Sequence, residues 1–391
     1  MRSPLNGIHV LEVTTMITGP LAGMLLADLG AAVTKVENRE GGDPFRNHHG
    51  GLYGGHFLSY NRNKRSLTLD LRSAKGKQIL FDLIAQSDVL IDNFRPGVLE
   101  RLGFTNDVLS KKNSRLIHAS ITGFGSSGPY RDRPSYDTVA QGLAGVLSQF
   151  VDPEIPQIAG PTLSDNITGF YAAYAVLAAL YEREKTNKGC RIETNMLEAT
   201  IAFAPDAFVN YRRYGMDIGP LSRVSASQSY VFRCQDGKCI AVHLSSPTKF
   251  WEGLLEVLGR QELATHPEFA QRENRIKNYV KLRAELAKTF ITRRRSEWTS
   301  RLETADVPHA PVYNIPEVFD DPQVKHLDTF YRLQHPTEGD VWGIKPPVFF
   351  DGQRPGTMTP PPVVGEHTEA ILSELGQSVD AIKMLKETKI V

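Results

Sequence analysis

The chain has 391 residues, 41% of them hydrophobic and 23% charged, an ordinary globular composition long enough for more than one domain or one large interlocked unit. Its 45 basic and 44 acidic residues leave a net charge of +1, so no bulk field draws it to nucleic acid or to an anionic membrane. No apolar run approaches the roughly 20 residues of a membrane span, and the start of the chain lacks the apolar core of a signal peptide. Three irregularly placed cysteines, Cys190, Cys234 and Cys239, read as ordinary thiols of a cytoplasmic protein. The eleven histidines show no metal-ligand spacing, so no metal site is expected.

The first 120 residues alternate strand and helix. His9–Val13 is a β-branched apolar run, Gly19–Leu29 is helical, and Ala31–Glu37 reads as a strand ending in charge. Ser66–Asp70 alternates apolar and polar residues. Ala74–Gln86 places Ile79, Leu80, Leu83 and Ile84 on one helix face, and Val89–Asp92 and Leu116–Ile121 are short strands. This βαβ rhythm predicts an α/β fold with a parallel sheet covered by helices. From Asp137 the pattern turns helical: Asp137–Gln149, Asn166–Arg183, and Asn195–Tyr214 with a break near Pro205. A smaller α+β domain is expected over 222–315. In it Asp236-Gly237 joins the strands Ser229–Arg233 and Lys238–His243, and helices follow at Pro247–Leu258, Val280–Thr289 and Ser296–Ala305. Val307–Val312 is extended. The large domain then takes 1–221 and 316–391, with a Pro-rich return over Pro346–Pro362 and one terminal helix, Glu366–Leu375.

Gly123-Phe-Gly-Ser-Ser-Gly128 fits the dinucleotide fingerprint after a strand, but Pro129 and Pro134 follow where a helix would open. It reads instead as a flexible loop that lets backbone approach a ligand or move as a lid. Asn61-Arg-Asn-Lys-Arg-Ser66 is a basic cluster, either a solvated edge or a phosphate holder. Ligands bind beyond the carboxyl ends of strands in open α/β sheets, where three loops converge: Thr14–Gly19, Asn93–Gly97 and Thr122–Gly128. Asp165 sits where a polar loop becomes an Ala-rich helix. A helix N-terminus is expected to keep that carboxylate ionised and to stabilise an oxyanion beside it, and a plain N-cap is the bland alternative.

Together these segments resemble the family III CoA-transferases, the group that includes the formyl-CoA:oxalate and carnitine CoA-transferases. The resemblance runs through Pro4–Thr14, Gly19-Pro20, Asp28–Ala31, Lys35-Val-Glu37, Asn63–Ser66, Asn93–Gly97, Gly123–Pro129, Val307–Pro311 and Gly365–Thr368, in order and over essentially the full length. It implies a Rossmann-like large domain with a parallel sheet, a smaller α+β domain and an interlocked homodimer. It implies that Asp165, in Leu163-Ser-Asp-Asn166, is the nucleophile that carries CoA as an aspartyl thioester. It places the CoA site at Ile17, Thr18, Asn38, Arg39, Leu69, Arg72, Asn93, Phe94 and Arg101. Members often carry Arg where this chain has Asn38, with Arg39 next. The Gly-rich loop of the oxalate enzyme is not apparent at Ser225–Gln228.

The implied reaction moves CoA from an acyl-CoA to a free carboxylic acid, with coenzyme A as part of the substrate and no permanently bound cofactor. Arg62, Arg131 and Arg133 lean towards a dicarboxylic acid such as succinate as one partner. The alternative is an α-methylacyl-CoA racemase of the same superfamily, whose catalytic His falls where this chain has Tyr136. Tyrosine, with a pKa near ~10, is a poor base at neutral pH compared with histidine near ~6.5. Tyr136 suits a hydrogen bond to the reacting carbonyl. A non-catalytic CoA-binding protein is a third reading.

Overall fold

A computed structural model describes residues 3–48, 51–158 and 160–391. It divides into two compact units, Met1–Leu147 with Gly160–Pro205 and Thr329–Val391, and Ser148–Ala159 with Asp206–Asp328. Residues 148–158, 206–221 and 316–328, assigned from the sequence to the large domain, group with the smaller unit.

The larger unit is built on six parallel strands: β1 (His9–Val13), β2 (Ala32–Glu37), β3 (Lys64–Thr68), β4 (Val89–Asp92), β5 (Ile117–Thr122) and β6 (Arg191–Asn195), in spatial order β3-β2-β1-β4-β5-β6. The direction of winding reverses between β1 and β4, so the loops after these two strands open a crevice at their carboxyl ends. One sheet face packs Leu11, Val13, Val36 and Leu67 against Ile79, Leu80 and Leu83 of the helix Ala74–Gln86 and against Leu372 and Leu385 near the C-terminus. The other packs Val10, Val33, Ile91 and Ile117 against Ala22 and Leu26 of the helix Thr18–Asp28 and Ala172, Ala173 and Val176 of Ser164–Thr186. A strand exposes alternate side chains to opposite faces, which is why Val10 and Leu11 belong to different cores.

The periodic elements lie where the sequence placed them to within a few residues, and His9–Val13, Ala74–Gln86 and Val89–Asp92 match end to end. The helix expected over Asp137–Gln149 stops at Leu143, before Gly145 with its φ of 72°, and a short 3₁₀ turn at Leu147–Gln149 follows. Strand β6, an antiparallel pair β10 (Phe330–His335) and β11 (Gly339–Ile344), and the last helix Val379–Glu387 were not anticipated. The smaller unit carries the antiparallel sheet of β7 (Ser229–Arg233), β8 (Cys239–His243) and β9 (His309–Val312). Gly237, with φ 77°, makes the expected hairpin turn. Its core gathers Tyr230, Phe232, Trp251, Leu282, Phe290 and Trp298.

Candidate functional site

The loop after β1 is fixed by buried charge. Glu12, fully buried, pairs with Lys35 at 2.9 Å and with Lys64 at 2.7 Å. Burial alone would raise the Glu12 pKa, but the two ammonium groups outweigh it and hold the carboxyl below its usual range. Lys35 also pairs with Asp43 at 3.0 Å and donates to the Thr14 carbonyl at 2.9 Å. Asp43 accepts the Met16 N–H at 3.2 Å on either carboxylate oxygen, and Met16 sits at φ 69°. This is a left-handed conformation that a non-glycine residue keeps only where its surroundings impose it.

Asn93, after β4, closes the same loop from the other side. Its Oδ1 accepts from the Thr15 N–H at 3.0 Å, and its Nδ2 donates to the Thr15 carbonyl at 2.8 Å and to Thr18 Oγ1 at 3.1 Å. The Asn93 side chain is therefore spent on positioning Thr15 and Thr18. Gly169, one turn beyond Asp165, lets the helix Ser164–Thr186 approach, since a Cβ there would stand 2.7 Å from the Thr18 carbonyl oxygen. The first turn of this helix is pinned by Ser164 Oγ against Thr200 Oγ1 at 2.6 Å, with Thr168 Oγ1 donating to the Ser164 carbonyl at 2.6 Å. All three side chains are buried.

These elements enclose a cavity of about 280 Å³ on which Asp165 opens together with Ile17, Thr18, Asn93, Phe94 and Tyr136. Asp165 is half-buried in the first helical turn, and the cap position is Leu163, so Asp165 is not the N-cap. Its own N–H donates to Asp137 Oδ1 at 3.2 Å, and Gln141 Nε2 donates to Asp137 Oδ2 at 2.5 Å. Burial, with the Asp137 carboxylate beside it, pushes Asp165 up to about 7. The expectation that the helix N-terminus keeps Asp165 ionised is thus corrected: desolvation and a like charge outweigh the dipole. Tyr60 stands near Asp165, Asp137 and Asn166, and burial followed by the two carboxylates raises its phenol above the usual value.

A second cavity, of about 310 Å³, adjoins the first and shares Thr15 and Phe94 with it. Asn38, Leu69 and Arg72 line it. Arg39 and Arg101 line neither; Arg39 pairs with Glu40 at 3.3 Å, and Arg101 lies beside Gly97. Of the arginines set aside for a second carboxylate, Arg131 and Arg133 line the Asp165 cavity. Arg62 does not, being buried against Asp28 with contacts of 2.9 and 2.5 Å. The whole basic cluster is spoken for, since Lys64 holds Glu12 and Arg65 pairs with Glu374 at 2.8 Å. Arg62 and Lys64 are thus buried structural groups rather than a solvated edge, while Arg65 stays part-exposed at the surface. The sequence reading missed Asp137, Gln141 and Tyr60. Asp137 opens a helix and looks like any acid in a first turn, and Tyr60 is brought in from more than a hundred residues away.

The family model described as CoA-transferase family III matches residues 5–368. The human succinyl-CoA:glutarate CoA-transferase is 32% identical over 384 residues, covering 95% of this chain and 86% of its own length. The formyl-CoA:oxalate CoA-transferase of Streptomyces avermitilis is 32% identical over 417 residues, with 100% of both chains covered. The crystal structure of a CAIB/BAIF family protein from Brucella suis superposes with a TM-score of 0.85 at 31% identity, over 96% of this chain and 100% of that one. Similarity along nearly the whole length thus agrees with a cavity at the switch point of a parallel sheet, and this chain belongs to the family III CoA-transferases and is an enzyme.

Proposed function

We propose that the enzyme moves CoA from an acyl-CoA thioester to a free carboxylic acid through covalent intermediates on Asp165. The observation that carries this reading is the placement of Asp165 on the wall of the switch-point cavity, half-buried, in the first turn of a helix seated against Thr18. An Asp165 oxygen attacks the donor thioester carbonyl, and the tetrahedral adduct expels CoA thiolate to leave an acyl–aspartyl anhydride. The thiolate attacks the Asp165 carbonyl, releases the donor acid as a carboxylate and forms the aspartyl-CoA thioester. An acceptor carboxylate then reverses the two steps. One thioester and one carboxylate are consumed and produced, so the exchange needs neither ATP nor a metal.

Tyr136 lies at the cavity with its ring exposed, suited to donate to the oxyanion of each addition. The Asp165 N–H is engaged by Asp137, so oxyanion donors come from elsewhere on the wall. The Gly123–Gly128 loop contributes Gly123 to that wall and is placed to shield the anhydride from water. The second cavity, with Asn38, Leu69, Arg72 and Phe94, takes the nucleotide end of CoA, with Arg39 and Arg101 at its margin. The relatives named for succinate and glutarate favour a dicarboxylic acid as one partner. The chains pair as a homodimer through the exposed aromatic face of Ser164–Thr186, where Phe170, Tyr174 and Tyr181 are 55, 70 and 68% accessible.

The racemase reading is not favoured, because among the described residues no histidine lines the Asp165 cavity. Intact mass after incubation with succinyl-CoA, followed by hydroxylamine, tests the proposal. A covalent adduct mapping to Asp165 and absent in Asp165→Ala is expected. Wash-in of α-deuterium without any adduct would replace transfer by racemisation.

A further inference from the structure

Beside the Asp165 cavity, at the ends of β4 and β5, lies a smaller one of about 80 Å³ that shares Phe94, Arg95, Thr122 and Arg131 with it. Its wall holds a buried pair, His118 Nε2 at 2.8 Å from Asp92 Oδ2. The other ring nitrogen, His118 Nδ1, is buried and has no hydrogen-bond partner, although the side chain is only 6% accessible. Such an atom is costly to leave unmet unless a ligand or water completes it.

Charge points to what completes it. Asp92 is engaged by His118, and Glu100 stands 3.8 Å from Arg191, which also pairs with Glu193 at 2.8 Å. Arg131 Nε donates to the Ser126 carbonyl at 2.9 Å, and its far end sits 3.5 Å from Asp132, an exposed carboxylate. The Arg95 side chain, which lines both cavities, makes no ion pair or hydrogen bond among the described residues, while its backbone carbonyl accepts from the Val98 N–H at 3.1 Å. Two arginines with donors to spare thus flank a cavity large enough for one carboxylate and too small for a nucleotide.

We propose that this cavity is an anion subsite, in which Arg95 and Arg131 hold the distal carboxylate of a dicarboxylic substrate while its other carboxyl group reacts at Asp165. The inference rests on the reading of Asp165 as the acyl-transfer residue. A phosphate of CoA offers similar chemistry, but the cavity of Asn38 and Arg72, at about 310 Å³ against about 80 Å³, is the roomier place for it. Two-point anchoring makes Arg95 a specificity residue, because a monocarboxylate of equal length leaves it unpaired.

Thermal unfolding with succinate, butyrate or free CoA, for the parent and for Arg95→Met, tests this without requiring turnover. Succinate is expected to raise the parent Tm more than butyrate does. Arg95→Met is expected to erase that difference, equivalent to about a tenfold or greater loss of succinate affinity, and to leave the CoA shift intact. Arg131→Met, whose side chain also contacts the Gly123–Gly128 loop, should weaken succinate in the same direction. Loss of the CoA shift with the succinate difference retained would assign the anion to a CoA phosphate. Equal response to succinate and butyrate in the parent, or no change in Arg95→Met, would also overturn the subsite. The Asp165 adduct is scored separately by mass. Failure there with the succinate difference intact removes the transfer reading and keeps the anion site.

Discussion

At the scale of single residues, the behaviour of the site turns on Asp165 and Asp137. The Asp165 value of about 7 lies well above the ordinary carboxylate near ~3.9. The folded protein therefore keeps a proton that the unfolded chain has released between about pH 4 and pH 7. Stability from this group is full below about pH 4, falls as pH rises, and levels off above about 7. Asp165→Asn, neutral at every pH, should flatten that fall and exceed the parent at pH 8 by on the order of 1 kcal/mol after solvent screening is allowed for. Urea titrations at pH 5 and pH 8 measure it. On the proposed route Asp165 attacks as its carboxylate, so adduct formation by the parent should climb with pH to a plateau above about 7. Asp137→Asn removes the adjacent charge and should move that midpoint to lower pH. A midpoint unmoved in Asp137→Asn would mean that burial alone sets it. The position of Asp165 was legible in the sequence as an acid at the start of an Ala-rich helix. Its protonation was not, because both causes, burial and Asp137, are tertiary.

At the scale of elements, the helix Ser164–Thr186 is placed by what its residues lack. Gly169→Ala would set a methyl group 2.7 Å from the Thr18 carbonyl oxygen and 3.0 Å from the Leu21 side chain. Backbone cannot yield as a flexible side chain does. The substitution should cost about 1–3 kcal/mol and slow adduct formation at Asp165 by shifting the helix from the β1 loop. Calorimetry and the mass assay read the two effects; a loss of stability with the adduct rate unchanged would show that the helix start is held by Ser164 and Thr200 instead. Elements with strong period, such as Ala74–Gln86, were legible because core packing and sequence pattern agree. β6 was hidden because Arg191, Glu193 and Thr194 make it polar at the edge of the sheet, where burial is incomplete. β3 was read as starting two residues late because Lys64 and Arg65 look like surface charge, while Lys64 points inward to Glu12. The strand-bound lysine is legible only once its partner on β1 is known.

At the scale of the whole molecule, the aromatic face of Ser164–Thr186 predicts association. Phe170, Tyr174 and Tyr181 recur along one helix surface and are largely exposed, with the Lys185 ammonium over the Tyr181 ring at 4.2 Å. Light scattering should give twice the chain mass, and Tyr174→Asp with Tyr181→Asp should shift the population towards monomer. A dimer indifferent to both changes would place the interface elsewhere. No helix among the described residues is long and apolar enough to cross a membrane. The anchoring of Met16 by Asp43 and of Thr15 by Asn93 has a thermodynamic corollary. A binding surface frozen before its ligand arrives pays little ordering entropy on association. If the cavity takes the thioester as proposed, discrimination on that side comes from the fit of a rigid mould rather than from backbone that folds around its guest.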